Sequence, residues 1–129
     1  MNEVSLADAA KAMASIWSPI DGGVTAPDGF EAAGVVAGLK PSGRPDLALI
    51  LAPDEAVCAG TFTTSVVRAA CVDLCAERLS SQNGRMRAVL INSGQANACT
   101  GDRGLLDSQR ATQAVADQLG LDPETVLIC

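Results

Sequence analysis

The sequence predicts a mixed α/β fold built in layers, and three observations carry that expectation. Leu47-Ala48-Leu49-Ile50-Leu51-Ala52 and Met86-Arg87-Ala88-Val89-Leu90 are apolar runs of strand length, the first continuous enough for a strand covered on both faces. From Leu105 to Leu119 the spacing becomes helical: Leu105, Ala111, Ala114, Val115 and Leu119 share a face, and Gly120 supplies a stop. Several strand-like stretches precede that helix, an order that suits a layered sandwich better than simple β-α-β alternation.

The remaining elements follow in order. Ser5 to Trp17 reads as an amphipathic helix, capped by Ser5 with Asp8 three residues on, and Pro19 ends it. Residues 1–21 are thus an N-terminal helix and linker, and 22–129 the body of the fold. Pro27-Asp28-Gly29 is a turn. Glu31 to Leu39 is small and apolar with two internal glycines, which favours a strand approached closely by other backbone. Val57–Thr64 and Val66–Leu74 are rich in Thr and Val and are expected to be extended, with Arg68 on a solvated face. Cys75–Leu79 is expected to be a short helical turn, and Ser80–Gly84 a loop closing on Asn-Gly. Asp122-Pro123 is a cap followed by Pro at a first helical position, and Val126-Leu127-Ile128-Cys129 opens another strand. Because termini usually sit exposed, that apolar ending is read as a cut within a longer polypeptide.

Composition excludes several functions. At 48% hydrophobic and 19% charged, the chain can bury a core and is not a disordered segment. Trp17, Phe30 and Phe62 are its only aromatics, so the core must be built from Ala, Val, Leu and Ile. The net charge of −6, without a basic cluster or aromatic platform, argues against nucleic-acid binding. No apolar run approaches the ~20 residues of a membrane span, and no secretory signal opens the chain, so a cytoplasmic protein without membrane partners is expected. Five cysteines at irregular spacing form no CxxC pair and, with no His, no mixed zinc pattern; neither a metal nor a cofactor is expected, and the thiols are expected to be reduced. The lack of His also means that this chain alone cannot complete Ser-His-Asp or Cys-His catalysis. No GxGxxG or GxxxxGK[ST] motif supports nucleotide binding.

The stretch from Ile91 to Gly101, INSGQANACTG, is the candidate site: an apolar strand empties into a loop of small and amide residues. A rigid sheet commonly presents ligand contacts in such a loop. The same residues are also ordinary turn formers, so a self-satisfied turn stands beside the functional reading.

Four segments in order, GGVTAPDGFEAAGVVAGLK (22–40), DLALILA (46–52), AGTFTTSVVRAACV (59–72) and INSGQANACTG (91–101), resemble the opening of the ornithine acetyltransferase family, the bifunctional glutamate N-acetyltransferases of arginine biosynthesis. Leu119-Gly120-Leu121 and Val126–Cys129 continue the likeness. The resemblance implies a layered α/β/β/α sandwich that cleaves itself before a Thr. The freed amine and hydroxyl of that Thr carry acetyl from N-acetylornithine to glutamate without metal or organic cofactor. A terminal amine as base fits a chain without His.

The family's Ser-Thr-Gly oxyanion segment and its Ala-Thr cleavage point do not occur in these residues. Thr61, Thr63, Thr64, Thr100 and Thr125 lie outside the nucleophile motif and receive no catalytic role, and Gln95 stands where relatives often have Asn. Asn92, Ser93, Gly94 and Asn97 are the candidates for touching substrate amides or bracing the neighbouring oxyanion segment. The expected partners are the remaining α- and β-chain segments, the small-molecule substrates, and further copies of the cleaved unit. The alternatives are a non-catalytic binding or scaffold module of the same fold, or an amidohydrolase using Cys99 or Ser93 with Lys40 as base, which no spacing supports.

Overall fold

The computed structural model describes residues 18–54 and 56–129; the expected helix from Ser5 to Trp17 lies outside them. Four strands, β1 (Glu31–Val35), β2 (Leu47–Leu51), β3 (Ala88–Asn92) and β4 (Val126–Ile128), form one sheet in that order. The pairs β1–β2 and β2–β3 are antiparallel, whereas β3 and β4 run parallel. Parallel neighbours require a crossover, and helix α2 (Gly101–Leu119) provides it, followed by a 3-10 turn at Pro123–Thr125. A shorter helix, α1 (Ala70–Ser81), precedes β3.

Small residues set how closely the layers meet. Ala116 of α2 packs on Ala88 and Val126, which pair across β3 and β4, and Leu49, Leu51, Val115 and Leu121 surround this contact. The buried stripe of α2 is Gly104, Ser108, Thr112 and Ala116, one residue per turn. The expected face of Leu105, Ala111, Ala114, Val115 and Leu119 is turned partly away: Leu105, Ala111 and Val115 are half-buried, and Ala114 and Leu119 are exposed. Gly120, in the left-handed conformation at φ 66°, ends the helix by donating to Ala116. The second cluster joins Leu74 and Cys75 of α1 to Met86, Leu127 and Ile128.

Helix α1 closes the free edge of the sheet. The backbone of Cys129 donates to Leu90 O at 2.9 Å and accepts from Asn92 N at 2.8 Å, so odd-numbered residues of this segment face β3. Val126 and Ile128 therefore turn their backbone groups outward, where an unpaired edge would invite another strand. Arg78 Nη1 donates to Val126 O at 2.7 Å, and the Cys75 thiol donates to Ile128 O at 3.2 Å and accepts its N–H at 3.4 Å. Burial pushes the Cys75 thiol up, which keeps it protonated and able to donate. Arg78, only 3% exposed, also donates to Thr112 Oγ1 of α2 at 2.8 Å and to Glu124 Oε1 at 3.3 Å.

The extended stretches expected at 57–64 and 66–74 do not form strands. Residues 57–69 run as irregular chain, with Val57 76% and Val66 97% exposed, so their β-branched side chains find no pleated neighbour. From Ala70 onward Cys71, Leu74, Cys75 and Arg78 recur at i, i+3, i+4 and i+7, and the chain is helical through Ser81, absorbing the expected turn at 75–79. Arg68 pairs with Asp73 at 2.5 Å beside that helix instead of lying on a strand. The strand expected over Glu31–Leu39 stops at Val35. Leu47–Leu51 is half-buried along its length: α2 covers only part of one face among the described residues, and an open apolar groove of about 560 Å³ remains between α2 and β1–β2.

Asp46 explains why β1 stops. Its carboxylate, buried with 3% exposure, accepts from the backbone amides of Lys40 at 2.7 Å and Ala37 at 2.6 Å, curling the chain back on itself. Those two bonds, Lys40 first and then Ala37, hold the carboxyl below its ordinary value of 3.8.

Two predictions follow from these contacts. Replacing Arg78 by Met is expected to cost about 2–4 kcal/mol in a urea melt, because Val126 O loses its donor inside the protein, and Lys at this position recovers only part since an ammonium cannot span the fork. Asp46 has a lowered folded pKa, so its stabilisation is present above the ordinary value of 3.8 and lost as pH falls through the lower folded value. Asp46→Asn should therefore lower the melting temperature at pH 7, and the gap from the parent should narrow in melts taken below about pH 4.

Candidate functional site

The parallel strands β3 and β4 end side by side, and the loop from Ser93 to Thr100 leaves from that end. This is the place where open α/β sheets put their ligands. Three tethers fix the loop. Asn92 N donates to Cys129 O at 2.8 Å, and Ser93 N donates to Asp46 O at 2.9 Å. Gly94, at φ 108°, lies against Lys40, whose Cγ would be 2.7 Å from any Cβ placed there. That combination of positive φ and close approach demands glycine.

Asn97 laces the far side of the loop to helix α2. Its Nδ2 donates to Ser108 Oγ at 3.0 Å, and its Oδ1 accepts from the hydroxyl of Thr100. The same hydroxyl lies 3.0 Å from Asn97 O, and Ser108 Oγ donates to Gly104 O at 2.8 Å. The helix begins without a side-chain cap at Thr100, so Asn97 supplies much of the polar order around its first turn.

Two adjoining clefts open on this loop. One, of about 300 Å³, is walled by Asn92, Gln95, Asn97, Thr100, Arg103 and Asp107, with Ile128 and Ala111 as its apolar floor. The other, of about 280 Å³, shares Asn92, Gln95, Asn97 and Ile128 and is closed by Cys71 and Cys129. At the rim of the first, Arg103 Nε donates to Asp107 Oδ2 at 2.7 Å. Neutral amides thus dominate the clefts, and one exposed ion pair flanks them. Such a surface can orient a polar ligand by hydrogen bonds to its amide, carboxylate or ammonium groups.

Of the residues singled out in the sequence, Asn92 and Asn97 meet in the clefts. Ser93 and Gly94 do not; they form the back of the loop, against Asp46 and Lys40. Neither Ser93 nor the exposed Cys99 is among the residues lining the two clefts, which removes the geometric basis for an amidohydrolase nucleophile there. Gln95, named only as a departure from relatives, Thr100, given no catalytic role, and the unnamed Arg103 and Asp107 also line the first cleft. Expecting the helix at Leu105 left its first turn unread, although Arg103 and Asp107 have the i, i+4 spacing of a helical pair.

Gly104 holds the arrangement together by having no side chain. A Cβ there would overlap the hydroxyl of Thr100 and Oδ1 of Asn97. Gly104→Ala is therefore expected to destabilise the protein even though Ala is the better helix former by about 1 kcal/mol, and amide hydrogen exchange should accelerate across residues 97–104.

The comparisons with known proteins agree on one family. The ArgJ family model matches residues 31–129. The chain is 75% identical over 118 residues to the arginine biosynthesis bifunctional protein ArgJ of Parasynechococcus marenigrum, which covers 92% of this chain and 29% of that protein. It is 52% identical over 112 residues to an ArgJ of Nostoc, covering 87% of this chain and 27% of the relative. Among solved structures, an ornithine acetyltransferase from Mycobacterium tuberculosis, complexed with ornithine, superposes with a TM-score of 0.79 at 45% identity, covering 83% of this chain and 57% of that one. The ArgJ of Bacillus halodurans gives a TM-score of 0.78 at 34% identity, with 83% and 55% covered. The chain spans under a third of the length of its curated relatives, matches their sequence and shares the fold of the solved ones, and it belongs to the ArgJ family.

Proposed function

We propose that this chain is the N-terminal part of the α chain of a bifunctional acetyltransferase that moves acetyl from N-acetylornithine to glutamate in arginine biosynthesis. The observation that carries the proposal is the amide-walled cleft at the ends of β3 and β4, in a chain that belongs to this family.

In this reading the reacting group is a Thr supplied by polypeptide beyond the segments described above. Self-cleavage frees its amine, which takes the proton from the Thr hydroxyl as that oxygen attacks the acetyl carbonyl. Ornithine leaves, and glutamate's amine then attacks the acetyl-threonine ester. The present residues hold substrate: Asn92 and Gln95 meet its polar groups, and Asn97, committed to Ser108 and Thr100, fixes the wall they stand on. The half-covered sheet and its apolar groove receive the remaining segments of the enzyme, and cleaved units pair into larger assemblies.

Alanine at Asn92 or at Gln95 in the complete enzyme is expected to lower kcat/KM for acetyl transfer by about tenfold to a hundredfold, the scale of losing a positioning contact. Equal kinetics in folded variants of both residues would remove the cleft from the reaction.

A further inference from the structure

Asn83-Gly84 is the chain's only Asn-Gly pair, and it forms the turn that ends α1. Gln82 N donates to Arg78 O at 2.9 Å, Asn83 N to Ser80 O at 3.3 Å and Gly84 N to Leu79 O at 2.9 Å. The last two bonds are the paired closure that terminates a helix through a left-handed residue, here Asn83 at φ 51°. Arg85 N then donates to Gln82 O at 3.0 Å, and with Gly84 at φ 74° both central residues of this tight turn have positive φ. Asn is among the few residues with a side chain that accept this conformation. Position 84 accepts no side chain: a Cβ there would lie 2.6 Å from Cys58 O, and Gly84 O takes the amide of Cys58 at 2.7 Å. All of these groups lie between Cys58 and Arg85, so the turn is held without help from either end of the chain.

The glycine that the turn demands also makes the pair chemically labile, because without a Cβ its amide nitrogen is open to the side chain of the preceding Asn. Gly84 N gives up its proton and attacks Asn83 Cγ; the N–Cγ bond forms, the Cγ–Nδ2 bond breaks, and ammonia leaves with that proton. Water then opens the five-membered succinimide. Addition at Cγ restores the main chain with an aspartate at position 83, and addition at the main-chain carbonyl carbon leaves an isoaspartate, with an extra methylene in the backbone. The balance is a water gained and an ammonia lost. In the folded turn the first step is blocked twice. The Gly84 N–H is committed to Leu79 O, which disfavours its deprotonation. Its peptide unit cannot swing onto Cγ without breaking that bond and the one from Cys58 N to Gly84 O.

We propose that Asn83-Gly84 is a guarded deamidation site, closed to reaction while the end of α1 is formed and open only when that end unwinds. Damage at this site is permanent. An aspartate tolerates the left-handed position, but an isoaspartate lengthens the chain between Asn83 N and Gly84 N, and the bonds to Ser80 O and Leu79 O no longer fit together. The lesion falls on the last turn of the helix that carries Arg78, and it accumulates in molecules that open often. The inference is independent of the acetyltransferase reading.

The test is to incubate the complete enzyme at mildly alkaline pH, native and in urea, and to follow the tryptic peptide from Leu79 to Arg85 by chromatography and mass spectrometry. These resolve its asparagine, aspartate and isoaspartate forms. The expected result is deamidation in urea, slowed by about tenfold or more in the native enzyme, because only the opened fraction reacts. Leu79→Ala, which removes from the last turn a side chain packed on the core, should speed the reaction in the native enzyme and leave the rate in urea unchanged. Hydrogen exchange at the Gly84 amide should quicken in the same variant. Equal rates in native enzyme and in urea would overturn the guard, and a peptide left unmodified in urea would overturn the site. If Leu79→Ala does not fold, the native-against-urea comparison in the parent still decides between these outcomes.

Discussion

A buried guanidinium at a sheet edge is costly unless its donors are answered, and Arg78 shows how this fold answers both terminal nitrogens. Its Nη1 reaches Thr112 of α2 and Val126 O of β4, and its Nη2 reaches the half-exposed Glu124 in the turn between them. Among the described residues, Nε alone finds no partner. A single side chain therefore joins α1, α2, the 3-10 turn and β4. A Leu at this position would fill similar space and leave the outward carbonyl of Val126 without a donor, and a Lys would answer one direction but not three. Most of the rest depends on this contact, because β4 is only three residues long. Its own ladder with β3 is too short to hold it independently, so α1 holds it from the other side.

Fixing β4 fixes the site. The ends of β3 and β4 are level because Ala88, Val89 and Leu90 pair with Val126, Leu127 and Ile128, and the loop after Asn92 starts from that line. Asp46 acts on the opposite flank: its carboxylate curls residues 37–40, and its carbonyl takes the amide of Ser93. The loop is thus held between the sheet edge and the curl. Where it meets α2, the small residues of the inner stripe leave room for Asn97 to reach Ser108. Small side chains, which the sequence offers in place of aromatics, are what let polar groups be placed between the layers.

How much of this was legible follows the physics of each signal. The β2 and β3 runs, the end of α2 at Gly120 and the Asp122-Pro123 cap stand in the sequence because each depends on local chemistry: apolar runs, a left-handed glycine, a side-chain cap. The parallel pairing of β3 with β4 fits their order, since the two strands flank one helix that can serve as the crossover. Helix α1 was misread because Val66, Val67 and Val72 suggested strand, and β-propensity is a statement about neighbours that the first two of these valines do not have. The i, i+3, i+4, i+7 series from Cys71 to Arg78 was present, but it counted an arginine among its inward positions. No rule of composition places an arginine inside until its partners are known. The inner face of α2 was missed for the same reason: Ser108 and Thr112 are polar, and their burial is licensed by Asn97 and Arg78 from elsewhere in the chain.

Within the loop the division of labour is set by which amides are already spent. Asn97 has its Nδ2 on Ser108 and its Oδ1 on Thr100, so little of its hydrogen-bonding capacity faces the cleft. Asn92 is held by its backbone, at Cys129 O, which fixes its position while its side chain is not needed for the ladder. Gln95 is exposed at the turn of the loop and lines both clefts. The residue most plainly inscribed in the motif is therefore the brace, and Asn92 and Gln95 before it line both clefts. Under the proposed acetyltransferase function, such amides impose no charge of their own on a bound amino-acid derivative. They would discriminate by being left unpaired when the wrong ligand sits there, which costs more than a matched hydrogen bond contributes.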